Sequence, residues 1–288
     1  MNEKRTLEEI IAQYALEPGL KDIFVEGHSD KCVIDWYLDA KGIGGISVYP
    51  IDLIDIPNDV LQSHGLPLHS NRSKILALAY ELSKRFSQGL RVFCLADRDF
   101  EDYCASVSPN PYLLLTDCNS MELYAFTSKT MHKFVTVALG GLPLCTSKLV
   151  EGIISILQHI YAYRLSNELL GWSMEWIPFT KYAEVNRGVI GFDNKRFEKA
   201  YLEKNGRWQE QSIFLNKVLE VSRSLSRDPG RKIRGHDLGE LLLLIVKKMR
   251  RDRKFGNAET IEGCLLAAVE CQDLDNTSLF QRISQLAL

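Results

Sequence analysis

The chain has no apolar run long enough to cross a bilayer, and Met1-Asn2-Glu3-Lys4-Arg5 leads into no signal-like hydrophobic segment. No membrane partner is expected. Its seven cysteines include no Cys-x-x-Cys pair, which removes the common zinc and dithiol motifs, and an odd number does not suit a disulfide framework. Several, Cys94 and Cys264 among them, sit in apolar runs, so reduced core thiols in a cytoplasmic protein are the expectation. No repeat of fixed period and no low-complexity tract interrupts the 288 residues. Gly42-Ile43-Gly44-Gly45 follows a helical pattern and precedes a strand, the reverse of the order in a phosphate loop. What is present, 45% hydrophobic and 25% charged residues, is the composition of a globular protein with a substantial core.

The first part of the chain alternates strand and helix patterns. Thr6 with Glu9 fits a capping box ahead of Leu7, Ile10, Ile11 and Tyr14, and Pro18-Gly19 closes that helix. Ile23-Phe24-Val25 reads as a buried strand that turns at Glu26-Gly27 into a helix, with Ser29 or Asp30 as the predicted N-cap. A strand over 46–51, a helix over 73–86, a strand through Leu90–Ala96 and another at 112–115 follow. Met121 to Phe126 begins a helical segment. From Ser128 onward strand signals become scarce, and amphipathic helices are predicted over 149–170, 197–202, 211–225, 238–249 and 261–269. The pattern predicts an α/β domain with a central, mostly parallel sheet flanked by helices over residues 1–130. A mainly α-helical C-terminal region over 131–288 follows it.

The run Leu90 to Phe100 starts as unbroken apolar sequence and ends in Asp97-Arg98-Asp99. A continuous apolar run suits a strand covered on both faces, and ligands of open α/β sheets sit beyond the carboxyl ends of such strands. Two carboxylates held this close repel unless a cation or a proton lies between them, and Mg²⁺ accepts oxygen ligands. Asp-x-Asp after a strand equally serves to cap the following helix. Glu26, at another strand end, and Glu122 downstream weigh toward a metal cluster, although Glu122 also reads as a first-turn acid favoured by the helix dipole. His236-Asp237 reads as a structural contact beside an N-cap, or as a catalytic pair.

Val25-Glu26-Gly27 together with Asp97-Arg98-Asp99 resembles the Toprim family of primases, topoisomerases and nucleases. The blocks Ile23 to Asp30, Asp97 to Phe100, Thr116 to Glu122 and Arg234 to Leu238 are similar to those of its DUF4435 branch. The resemblance implies a Toprim-like fold whose Glu26, Asp97 and Asp99 are catalytic. It also implies that Glu26, Asp97, Asp99 and Glu122 hold Mg²⁺ or Mn²⁺ for phosphodiester cleavage, with Asp30 and Asp117 as less favoured ligands. It further implies a toxic effector nuclease of a PARIS-type anti-phage system that cleaves host tRNA. Such effectors are held inactive by an ABC-type (AriA-like) ATPase partner and form a homodimer when free. A DNA nuclease or nickase of the OLD/Toprim type, and a non-catalytic regulatory subunit of an ATPase complex, are the alternatives.

Arg72, Lys74 and Arg98 are candidates for holding phosphate. Residues 223–254 carry 11 lysines and arginines against 4 acids, an excess of +7 in a chain of net charge −2. Lys247, Lys248, Arg250 and Arg251 lie in the densest part, and a phosphate backbone would be drawn to it in a salt-dependent way. The same cations also suit a solvated helix C-terminus.

Overall fold

A computed structural model describes residues 4–87, 89–186, 189–250 and 255–286. Internal contacts divide the chain into two units, Met1–Asp117 with Glu270–Leu288, and Cys118–Val269. The boundary therefore falls at Asp117/Cys118 rather than at 130, and the last residues belong with the first unit rather than with the helical region. The reason is tertiary: residues 270–286 bury apolar side chains that their local pattern does not assign to any neighbour.

The first unit is the predicted α/β body. Strands β1 (Lys21–Val25), β2 (Ser47–Pro50), β3 (Arg91–Ala96) and β4 (Leu113–Leu115) form one sheet in the order β2-β1-β3-β4, all parallel. Helix α1 (Leu7–Leu16) starts at the capping box read from sequence: Thr6 Oγ1 accepts the Glu9 N–H and the Glu9 carboxylate accepts the Thr6 N–H. Helix α2 (His28–Ala40) begins earlier than predicted. Gly27 is its N-cap, and Asp30 reaches back to accept the Gly27 N–H at 3.0 Å, so the acid serves the third helical position instead of the cap.

Helix α3 (Asn71–Arg85) is capped by Ser70 and packs with α1 on one sheet face, where Phe24, Val92, Cys94 and Ala96 meet Leu7, Ile10, Tyr14, Ile75, Leu78 and Leu82. Strand alternation puts Ile23 and Phe93 on the other face. There the helix Ser278–Leu286 places Arg282 over the Phe93 ring, and Phe280 meets Tyr37 of α2 edge-on at 4.7 Å. Asp117 accepts the Ser278 and Leu279 N–H groups, so it caps this helix. Covered faces explain why the strands read as continuous apolar runs.

The second unit is mainly helical. It comprises α4 (Thr146–Leu170), α5 (Asn194–Lys204), α6 (Gln211–Ser224), α7 (Gly235–Arg250) and α8 (Ala258–Leu266). An antiparallel hairpin, Ala183–Asn186 with Val189–Phe192, lies where no strand is predicted. Phe197 and Phe214 pack with Tyr163, Tyr201 and Trp176 in its aromatic core. None of the seven cysteines is joined in a disulfide. Among the described residues, no helix is long and apolar enough to cross a membrane.

Candidate functional site

Parallel register sets the first arrangement. Because Phe24 of β1 pairs with Cys94 of β3, the residues that follow each strand emerge side by side. Glu26 turns across the gap, and its Oε1 accepts the Asp97 N–H at 2.9 Å. One sequence-predicted acid thus fixes the backbone of another. Beyond Asp97 the chain bends sharply, with Asp99 in the left-handed region at φ 47°, a conformation that aspartate tolerates better than most residues. Arg98 turns toward β4: its N–H and Nε reach Thr116 Oγ1 and Thr116 O at 3.0 and 2.8 Å, and Nη1 pairs with Asp102 at 3.2 Å.

The first turn of α3 supplies the cations and donors beside these acids. Asn71 Nδ2 donates to Glu26 O at 2.9 Å, and Lys74 reaches Asn71 Oδ1 at 3.5 Å. Arg72 Nε bonds Asp97 O at 3.1 Å, and its guanidinium pairs with Asp99 at 3.5 Å and with Glu101 at 2.9 Å. Glu26, Asp97, Asp99, Arg72, Lys74 and Arg98 are therefore brought to one end of the sheet. Arg72, predicted as a phosphate ligand, is engaged with the acids themselves.

Two carboxyls here are driven in opposite directions. Burial pushes Glu26 up to about 7; the Asp99 and Asp30 charges add to this, while the Asp97 N–H and Arg72 oppose it. Burial would also raise Glu101, but hydrogen bonds from Ser106, Arg72 and the Val107 N–H outweigh it and hold that carboxyl below its ordinary value. Divergent pairs of this kind separate a poised acid or base from a fixed counter-ion. Glu26, Asp97 and Asp99 offer hard carboxylate oxygens, a donor type chemically suited to Mg²⁺ or Mn²⁺. Glu101 was missed in the sequence, where no strand end or motif singles it out; the structure places it in the short helix Glu101–Cys104.

Glu122 lies in the second unit, in a 3-10 turn (Met121–Ala125). Among the described residues, one set of three ligand atoms closes to within 4.8 Å of one another, and it is Glu122, His236 and Glu262 rather than Glu26, Asp97 and Asp99. Asp237 is no N-cap. Helix α7 starts two residues earlier, and the Asp237 carboxylate is buried in a bidentate pair with Arg164, at 3.0 and 2.8 Å. That pair also takes Asp237 away from His236, so the two do not form a catalytic couple. The Arg164 guanidinium in turn lies 3.8 Å above the Trp176 ring. Of the predicted basic ligands, Lys247 and Lys248 are exposed in the last turn of α7 with Arg250 half-buried beside them, and Arg251 lies outside the described residues.

The chain matches no family model and no curated protein.

Proposed function

We propose that the first unit is the catalytic body of a Mg²⁺- or Mn²⁺-dependent endonuclease that acts on tRNA. The observation that supports this best is Glu26 at the end of β1, bonded to the Asp97 backbone at the end of the adjacent parallel strand and raised to about 7. Glu26, Asp97 and Asp99 would hold the ion, with Asp30 as a neighbouring charge. Bound there, the ion would offset negative charge gathering on the phosphate and lower the pKa of a water.

The chain's own groups have separate tasks. A carboxyl poised near 7 both takes and gives a proton near neutral pH, so Glu26 can serve as general acid or base. Arg72 orients Asp99 and fixes the Asp97 carbonyl, and Glu101 fixes Arg72. Lys74 and Arg98 border the acids and would neutralise a phosphate drawn to them. Lys247, Lys248, Arg250 and Arg251 would add a salt-dependent attraction for RNA.

The wider role rests on the resemblance to AriB, the Toprim effector of the PARIS anti-phage system. In that reading the protein is a cytoplasmic toxin, restrained by an AriA-like ABC-type ATPase and homodimeric once released. A second reading, a non-catalytic regulatory subunit, is favoured by one observation: Arg72 already occupies Asp99 and Glu101. Expression of wild type and Glu26→Ala in cells, with tRNA and plasmid integrity followed together, tests these readings. The nuclease reading expects toxicity and tRNA fragments that Glu26→Ala abolishes without loss of soluble protein. Nicked plasmid with intact tRNA would support a DNA nuclease instead. Equal toxicity of both proteins would overturn catalysis at Glu26.

A further inference from the structure

We propose that Glu122, His236 and Glu262 form a binding site for a divalent transition-metal ion of the Mn²⁺-to-Zn²⁺ series within the second unit. Three separate elements each contribute one ligand: the 3-10 turn at Met121–Ala125, the first turn of α7, and α8. Their ligand atoms all lie within 4.8 Å of one another, and His236 Nδ1 stands 3.8 Å from Glu262 Oε1. Two ligands of a tetrahedral ion sit roughly 3.4 Å apart at bond lengths of about 2.1 Å, so small side-chain rotations close the set.

A second observation concerns Glu122 by itself. Its residue is only 8% exposed, and its carboxylate makes no hydrogen bond or ion pair among the described residues. With no donor among the described residues bonded to it, this mostly buried carboxylate keeps its oxygens for a ligand, and an ion is the simplest group that would join it to His236 and Glu262. It is aimed at the cluster, since one of its oxygens is a member of the set.

The backbone around the set leaves room for both carboxylates. A Cβ at Gly235 would overlap Glu122 Oε2 and Ser120 Oγ, and one at Gly239 would overlap the Glu262 carboxylate. These glycines are four residues apart, on one face of α7. The turn bearing Glu122 is tied to the start of α7: Ser120 Oγ accepts the Gly235 N–H at 3.2 Å, and Asn119 Nδ2 donates to Ile233 O at 2.8 Å.

The donor set selects the ion. One imidazole with two carboxylates suits Zn²⁺, Mn²⁺ or Co²⁺, whereas Mg²⁺ prefers oxygen alone. Three protein ligands also leave at least one coordination position open.

The test uses the full chain, stripped with EDTA and carrying Glu26→Gln so that the acids of the first unit contribute less. Zn²⁺ is titrated calorimetrically into this protein and into versions adding His236→Ala or Glu262→Gln. Co²⁺ absorption reports a nitrogen ligand independently. The expected result is one Zn²⁺ per chain in the parent, weakened at least ~100-fold by either added substitution, with the Co²⁺ bands lost in His236→Ala. Because the His236 side chain is 76% exposed, His236→Ala should still fold; His236→Gln serves if it does not. No Zn²⁺ binding by the parent, or binding unchanged in the His236 and Glu262 variants, would overturn the proposal. Neither result bears on the nuclease reading, which is judged by tRNA cleavage at intact Glu26.

Discussion

Replacing Glu26 with glutamine should stabilise the protein, by an amount that depends on pH. The amide is isosteric, and its Oε1 can still accept the Asp97 N–H at 2.9 Å, so packing and the backbone bond carry over. What it removes is the cost of ionising a carboxyl that burial, helped by Asp99 and Asp30, has pushed from 4.5 to about 7. A carboxyl raised in this way favours the folded state while protonated. That contribution is complete below about pH 4.5 and is lost as pH climbs through about 7. At 1.36 kcal/mol per pH unit the rise sets a ceiling of ~3 kcal/mol, and partial access to water at this half-buried position brings the expected gain nearer ~1.5 kcal/mol. In EDTA, urea unfolding at about pH 5 should barely separate the two proteins, whereas at about pH 8.5 the glutamine variant should be the more stable. A difference that is the same at both pH values, or a variant less stable at the higher one, would refute the raised Glu26.

Three further outcomes are expected. Arg164→Ala strands the buried Asp237 carboxylate and should cost ~3–5 kcal/mol by chemical denaturation, much of it recovered when Asp237→Leu is paired with Arg164→Met; a loss under ~1 kcal/mol would contradict the burial of that pair. Asp99→Gly should be more stable than Asp99→Ala by ~1 kcal/mol in thermal melts, because φ 47° suits glycine and not alanine; equal melts would argue against the left-handed turn. Gly239→Ala should destabilise by ~1–3 kcal/mol although alanine is the better helix former, since its Cβ must displace Glu262; a stabilised variant would mean that Glu262 lies elsewhere.

Local signals were legible in the sequence and distant ones were not. The capping box at Thr6 and Glu9 involves residues three apart, and it formed as read. The buried strands announced themselves as apolar runs because both faces of the sheet are covered. The α2 start was misplaced because Asp30 fits two roles, N-cap or reach-back acid, and only the extended Gly27 backbone selects the second. The hairpin at 183–192 has strands of four residues, too short to show alternation, and depends on Ile190 packing against the gap left by Gly152 in α4. For the candidate site, the acids at strand ends followed from sheet topology. The Glu122, His236 and Glu262 set did not, because its members are far apart in sequence and Glu262 reads as one polar position on an amphipathic helix. The Gly235 and Gly239 spacing is the signal that could have pointed to it.

The return of residues 270–288 to the first unit has a consequence for the order of assembly. These residues leave the ribosome only after the whole of 118–269 has been synthesised, so the face bearing Tyr37 and Phe93 waits uncovered until then. The first unit therefore closes over its sheet only late in the synthesis of each copy, and a chain stopped before residue 270 would leave that apolar face bare.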